Sequence, residues 1–235
     1  MTRALADTRR WMQEGADLLL IALAPLDDEQ LSAPSALPGW SRKNLVAHLA
    51  ANADALMNLM RWAATGVPTP MYASLEARKA GIERGAALPA DELMAWVRQS
   101  SSALEAAMDA AAEEHWLRPV VTAQGRTVPA TEVPWMRARE VYVHAVDLDV
   151  GTEFRDLPTD YLAALCDEIV AKRSGERGPT LELAAAGGQR WHVSGTGNSI
   201  ELVGTVADIA AYLTGRAHGV TTVDGRTAPE MPPWL

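Results

Sequence analysis

The chain has 235 residues, 48% of them apolar, and a net charge of −9. That is enough apolar material for a sizeable core, in one large domain or two small ones. The acidic balance and the absence of any basic run exclude nucleic acid as an expected partner, and no apolar stretch approaches the roughly 20 residues a membrane helix needs.

From the N-terminus, residues 1–10 carry charges and no secretory pattern, so a soluble, cytoplasmic, monomeric protein is expected. Apolar residues recur at helical spacing through Leu5–Leu23 and again through Leu45–Trp62. Ser41, after the Pro38-Gly39 turn, is placed to cap the second of these helices. The loop Met71–Gly85 has room for one short helix. Pro89–Trp116, rich in Ala, Met and Glu, predicts a third long helix, and Thr131–Val150 a fourth. Pro134 suits the first turn of that helix, and Gly151 the position just past its end. Four long helices predict a bundle able to hold a metal site in its interior.

The composition then changes. Phe154–Pro158 reads as a linker and 159–173 as a helix. Short β-prone segments follow at Thr180–Ala184, Gln189–Ser194 and Ser199–Val203, separated by glycine-rich turns. Thr205 can cap a last helix over Val206–Thr214, and a short segment near Val220–Val223 precedes a proline-rich tail. The expected fold class is α + α/β: a metal-binding four-helix bundle over residues 1–153 and a small α/β domain over 158–235.

Glu140 and His144 stand four residues apart in the fourth helix, hence on one face. Such a pair is common on helices by chance. Here Val141, Val143, Ala145 and Val146 make the rest of the helix apolar, so a polar stripe of Arg137, Glu140, His144 and Asp147 needs partners. Asp147 either orients an imidazole from behind or is a solvated helix-end carboxylate. His48, two turns into the second helix, is on its own either a core histidine or a third ligand. Two His and one Glu would leave a zinc ion one open position, which suits catalysis. Such an ion lowers the pKa of bound water or holds a thiol as thiolate. H-E-x-x-H is absent, which argues against a metalloprotease.

The remaining candidates have bland readings. Cys166 sits among apolar residues and reads as a buried thiol rather than a nucleophile. His115 closes a helix, His192 reads as a surface position in a strand, and His218 lies in a turn. Arg216 follows the last helix, where it serves that helix's carbonyls or, alternatively, a dicarboxylate ligand. Gly125-Arg126-Thr127 is a second arginine-bearing loop. Gly195-Thr-Gly-Asn198 precedes a strand rather than a helix, so it is no phosphate loop. Trp40, Trp62 and Trp135 are candidates for pocket walls or core.

Several motifs together give the chain a likeness. They are Gly39-Trp40-Ser41-Arg42 with His48, Asn58-Leu-Met60 with Trp62, and Thr69-Pro-Met-Tyr72. Further on come Thr122-Ala-Gln-Gly-Arg-Thr-Val-Pro-Ala130, Trp135-Met-Arg137, Arg139-Glu-Val141 with His144-Ala-Val-Asp-Leu148, Gly215-Arg216 and Pro232-Pro-Trp-Leu235. In these the chain resembles the mycothiol-dependent maleylpyruvate isomerases of the DinB-like metal-binding superfamily. The resemblance thins between residues 150 and 210. It implies a helical bundle followed by a small α/β domain, a zinc ion (or another divalent ion) on His48, Glu140 and His144, and a functional arginine at Arg216. It also implies mycothiol as cofactor, a small dicarboxylate as substrate, and a place in the gentisate route of aromatic breakdown. The expected reaction turns maleylpyruvate into fumarylpyruvate: a zinc-held thiolate adds to the cis double bond, the resulting single bond rotates, and elimination follows. A mycothiol S-transferase and a non-catalytic zinc or thiol sensor are the alternatives.

Overall fold

The computed structural model describes residues 3–176, 178–231 and 234. It divides into two compact units, one running from Ala4 to Thr152 and the other comprising Arg3 with the chain from Glu153 onward. Of the C-terminal motif, Pro232, Pro233 and Leu235 lie outside the described residues, as does Arg177. Among the described residues no helix is long and apolar enough to cross a membrane.

The first unit is helical. Its elements are α1 (Leu5–Leu23), α2 (Asp28–Ser32), α3 (Arg42–Thr65), α4 (Leu75–Ala86), α5 (Ala90–Asp109), α6 (Glu113–Trp116), the hairpin β1 (Pro119–Val121) and β2 (Thr127–Pro129), and α7 (Val133–Asp147). The long helices α1, α3, α5 and α7 are the four expected ones. Ser41 caps α3: its hydroxyl accepts from the Asn44 amide, and the Asn44 side chain accepts from the Ser41 amide. Gly66, at φ 75°, ends α3 in the left-handed conformation that glycine adopts without strain.

Two glycines set helix spacing. A Cβ on Gly15 of α1 would lie 2.6 Å from a Val141 methyl of α7. One on Gly85 of α4 would lie 2.5 Å from the Trp96 ring and 2.8 Å from Ala47 of α3. The core under these contacts includes Leu19, Leu45, Leu49, Leu93, Val97, Val141 and Leu148, all buried.

Three sequence expectations shift. The helix predicted over Pro89–Trp116 stops at Asp109 and restarts at Glu113. His115 therefore serves a helix start, its Nδ1 accepting from the Ala112 amide at 3.3 Å. The Gly125-Arg126-Thr127 loop belongs to the β1–β2 hairpin, with Gly125 at φ 76°. At the end of α7 the left-handed residue is Asp149 (φ 55°), two positions before Gly151.

The second unit has helices α8 (Thr159–Arg173) and α9 (Val206–Leu213) and strands β3 (Thr180–Ala185), β4 (Arg190–Val193), β5 (Ser199–Gly204) and β6 (Thr221–Thr222). The strand order is β4-β3-β5-β6, with β3 and β5 parallel and the outer pairs antiparallel. Leu181, Leu183, Trp191, Val193 and Leu202 are buried, and so are Leu165, Cys166 and Ile169 of α8 and Ile209 of α9. Phe154 and Leu157 are buried as well, so the stretch that reads as a linker is packed into this unit. A helical bundle followed by a small α/β unit is thus the observed architecture.

Candidate metal centre

The two helices that carry the candidate ligands are locked in register by α3's first residue. The last carbonyls of a helix lack partners within it. At the end of α7 Arg42 supplies them: its Nε donates to the Leu148 carbonyl at 2.6 Å and its Nη2 to that of Asp149 at 2.8 Å. The Ala36 amide donates to Asp147's carbonyl at 2.9 Å. His48 of α3 is thereby brought opposite Glu140 and His144 of α7.

His48 Nε2 lies 2.9 Å from Glu140 Oε2, and His144 Nε2 lies 3.3 Å from the same oxygen. All three donor atoms fall within 4.8 Å of one another. The two imidazoles meet edge to face, centroids 5.2 Å apart. Trp40 stands edge-on to His48 at 5.7 Å, which makes it a wall of the site. Trp135, by contrast, packs in the core against Trp11 at 5.8 Å.

Behind the ligands lies a buried polar layer. His144 Nδ1 is 2.8 Å from Asp147 Oδ2, and Asp147 is 1% exposed. This settles the two readings of Asp147 in favour of orienting the imidazole, the arrangement that fixes a metal-binding tautomer. Arg137, also 1% exposed, donates to the Leu49 carbonyl at 2.7 Å, to Asn52 Oδ1 at 3.0 Å and to Ser101 Oγ at 3.1 Å. Burial pulls its guanidinium down to about 10, so it stays a cation at neutral pH.

The charges follow from this geometry. Burial disfavours a charged Glu140, but hydrogen bonds from His144 and His48 outweigh it and hold the carboxyl well below the usual range. Burial lowers His48 and outweighs its pairing with Glu140. Burial also opposes charge on His144, yet Asp147 and Glu140 raise it to about 9. Two nitrogens and one carboxylate oxygen form a donor set suited to a borderline ion such as zinc. Ligand atoms about 2.0–2.1 Å from a tetrahedral zinc lie about 3.3 Å apart, close to the 2.9 and 3.3 Å separations found here. The residues therefore fit a metal.

The profile of one protein family, described as the mycothiol maleylpyruvate isomerase N-terminal domain, matches residues 12–149. The chain belongs to the mycothiol maleylpyruvate isomerase family. Two solved structures are similar to it from end to end. A crystal structure of the mycothiol-dependent maleylpyruvate isomerase is 38% identical, with TM-score 0.91 and 100% of both chains covered. A histidine-to-alanine mutant of the mycothiol-dependent maleylpyruvate isomerase is 37% identical, again with TM-score 0.91 and 100% of both chains covered. No curated protein matches the chain. The family match spans His48, Glu140 and His144, while Arg216 lies beyond it.

The other candidates sit as follows. Arg216, half-buried in the second unit, donates to the Thr214 carbonyl at 2.6 Å. His192 is exposed beside Glu182, and His218 Nδ1 accepts from the Val220 amide. Cys166 is buried, and burial pushes its thiol far above the usual range. Arg137, read as part of a buried polar stripe that needs partners, has three of them; sequence reasoning missed Arg42 as a register pin and Arg78, which reaches His48 from α4. Only the motif Gly39-Trp40-Ser41-Arg42 carried any signal for Arg42.

Proposed function

We propose that the chain isomerises maleylpyruvate to fumarylpyruvate with mycothiol as the thiol cofactor, in the gentisate route, and that zinc occupies the His48, Glu140 and His144 cluster. The cluster is the observation that carries this reading: three donors of metal-ligand type, converging within 4.8 Å, in a chain of this family.

The cis double bond of maleylpyruvate must become single before it can rotate. Addition of a sulfur nucleophile to the alkene carbon moves the π electrons into the conjugated carbonyl as an enolate. After rotation the enolate re-forms the double bond as trans and releases the sulfur, so nothing is consumed. Zinc, when bound, supplies a position that takes a thiol sulfur and keeps it as thiolate at neutral pH.

The chain's own residues prepare that chemistry. Asp147 holds His144 in the tautomer that leaves Nε2 as donor. Arg137 fixes the backbone of α3 beside His48 and puts a permanent positive charge behind the site. In this reading Arg216 pairs with a substrate carboxylate and stabilises the enolate. The resemblance motivates that role, and the exchange of its Thr214 carbonyl for a stronger acceptor would accomplish it.

The test is a maleylpyruvate-to-fumarylpyruvate assay on zinc-loaded protein, with and without mycothiol. Turnover that depends on mycothiol is expected. No turnover with the thiol present, or release of a stable thiol adduct instead of fumarylpyruvate, would sink the proposal.

A further inference from the structure

A cavity of about 440 Å³ lies between α3, α4 and α5, and one of its lining residues, Arg78, touches His48 of the metal cluster. Asn58, Met71, Tyr72, Gly85 and Trp96 are among its walls, and Arg78 stands at its edge. The single acid on its lining, Asp54, is already engaged, accepting from Trp96 Nε1 at 2.9 Å. Arg78 forms no ion pair with a carboxylate among the described residues. It lies over the Tyr72 ring at 5.8 Å, and its Nη2 approaches His48 Nδ1 at 3.3 Å. The cavity is thus mostly apolar, with Arg78 and Arg84 among its lining residues, and the Arg78 guanidinium is held by an imidazole nitrogen and by the Tyr72 side chain.

That contact holds only for one tautomer. A guanidinium has donors and no acceptor, and a neutral imidazole has one N–H and one lone pair. For His48 Nδ1 to accept from Arg78, the ring hydrogen must sit on Nε2, pointed at Glu140. Ligation through Nε2 needs the lone pair there, which puts the hydrogen on Nδ1. Arg78 and His48 would then face each other donor to donor. A metal on His48 therefore displaces Arg78 from that imidazole nitrogen.

We propose that Arg78 is a substrate-binding residue: metal ligation of His48 frees its guanidinium to hold one carboxylate of a cis-dicarboxylate in the cavity between α3 and α4. This deepens the isomerase reading and rests on it for the identity of the substrate. A bidentate, charge-assisted pair is what a guanidinium offers such a group. The apolar walls suit the carbon chain, and the contact of Arg78 with His48 keeps the carboxylate's anchor next to a metal-ligand candidate.

The experiment measures binding of maleate, a cis-dicarboxylate that cannot turn over without a thiol. Full-length wild type, Arg78→Gln and Arg78→Lys are compared by calorimetry, each zinc-loaded and metal-free, with zinc content determined for each. In the zinc-loaded form Arg78→Gln should weaken maleate binding about tenfold or more, and Arg78→Lys less. In the metal-free form, where Arg78 is engaged with His48, the substitutions should change little. Unaltered maleate affinity in zinc-loaded Arg78→Gln overturns the proposal. So does an equal loss in both forms, or loss of zinc from either variant, which would make Arg78 a support for His48. If wild type fails to isomerise maleylpyruvate but shows the expected maleate pattern, the isomerase reading fails and the carboxylate site stands.

Discussion

In the helical unit, polar side chains reach across the structure. Arg42 at the start of α3 holds the end of α7, and Arg137 on α7 holds the backbone of α3 and a serine of α5. Around α9 in the C-terminal unit, several polar groups serve backbone close to them in sequence, while Arg173 of α8 reaches the Leu213 carbonyl at 3.2 Å. Thr205 and Asp208 cap α9 reciprocally, Asp208 accepts from the Gly219 amide, and Arg216 donates to Thr214. Long-range bonds fix where ligands on separate helices stand relative to each other. Local bonds close turns and helix ends. The comparison teaches that polar bonds joining distant segments fix the relative position of side chains, which a charged residue in a loop does not do by itself.

The largest effect should come from the cluster itself. His144→Ala should lose zinc and bring isomerase activity to background together; elemental analysis and the coupled assay check this, and full retention of both would discard the assignment. Next, Arg137→Met should cost roughly 3 kcal/mol of stability, because it strands the Asn52 and Leu49 acceptors in a buried layer. Chemical denaturation measures it, and a loss below about 0.5 kcal/mol would mean that the layer is not structural. The sharpest challenge to the comparison is Arg216→Ala. It should keep its zinc and lower kcat/KM by about a hundredfold, showing that an arginine outside the metal cluster works in catalysis.

A smaller effect is set by protons. In the metal-free protein His144 keeps its proton up to about pH 9. Zinc must displace that proton, so apparent zinc affinity should rise about tenfold per pH unit from 7 towards 9 and then level off. Chelator competition across that range would show it, and a flat profile would contradict it. The same raised value means that His144 stabilises the metal-free fold fully below its ordinary 6.5, a contribution lost as pH rises through about 9. The smallest change belongs to the C-terminal unit. Thr205→Ala removes the α9 cap, should cost about 1 kcal/mol, and should leave zinc affinity untouched.

Much of this was legible in the residues. The i,i+4 pair of Glu140 and His144 needs only a helix, and the apolar surround of α7 made that helix evident. The caps at Ser41 and Thr205 read equally well, because capping chemistry is local. Meeting His48 with that pair is a tertiary event. It depends on Gly15 and Gly85 letting helices approach and on Arg42 setting register, and no spacing in the chain encodes it. Arg78 was missed because α4, Leu75-Glu-Ala-Arg-Lys-Ala-Gly-Ile-Glu-Arg-Gly-Ala86, has too little apolar contrast to mark a buried face. The break between α5 and α6 falls on three alanines, Ala110 to Ala112, which favour helix intrinsically. The hairpin strands are three residues each, shorter than alternation can reveal.

Cys166 has a practical consequence. It is the chain's only cysteine, wholly buried on α8 with its thiol strongly disfavoured as thiolate. A protein that works with a reactive external thiol thus offers it no partner for a mixed disulfide, and gives peroxide little to oxidise at sulfur beyond its methionines. Under oxidative stress the vulnerable sulfur is the diffusible one, which can be replaced without making new protein.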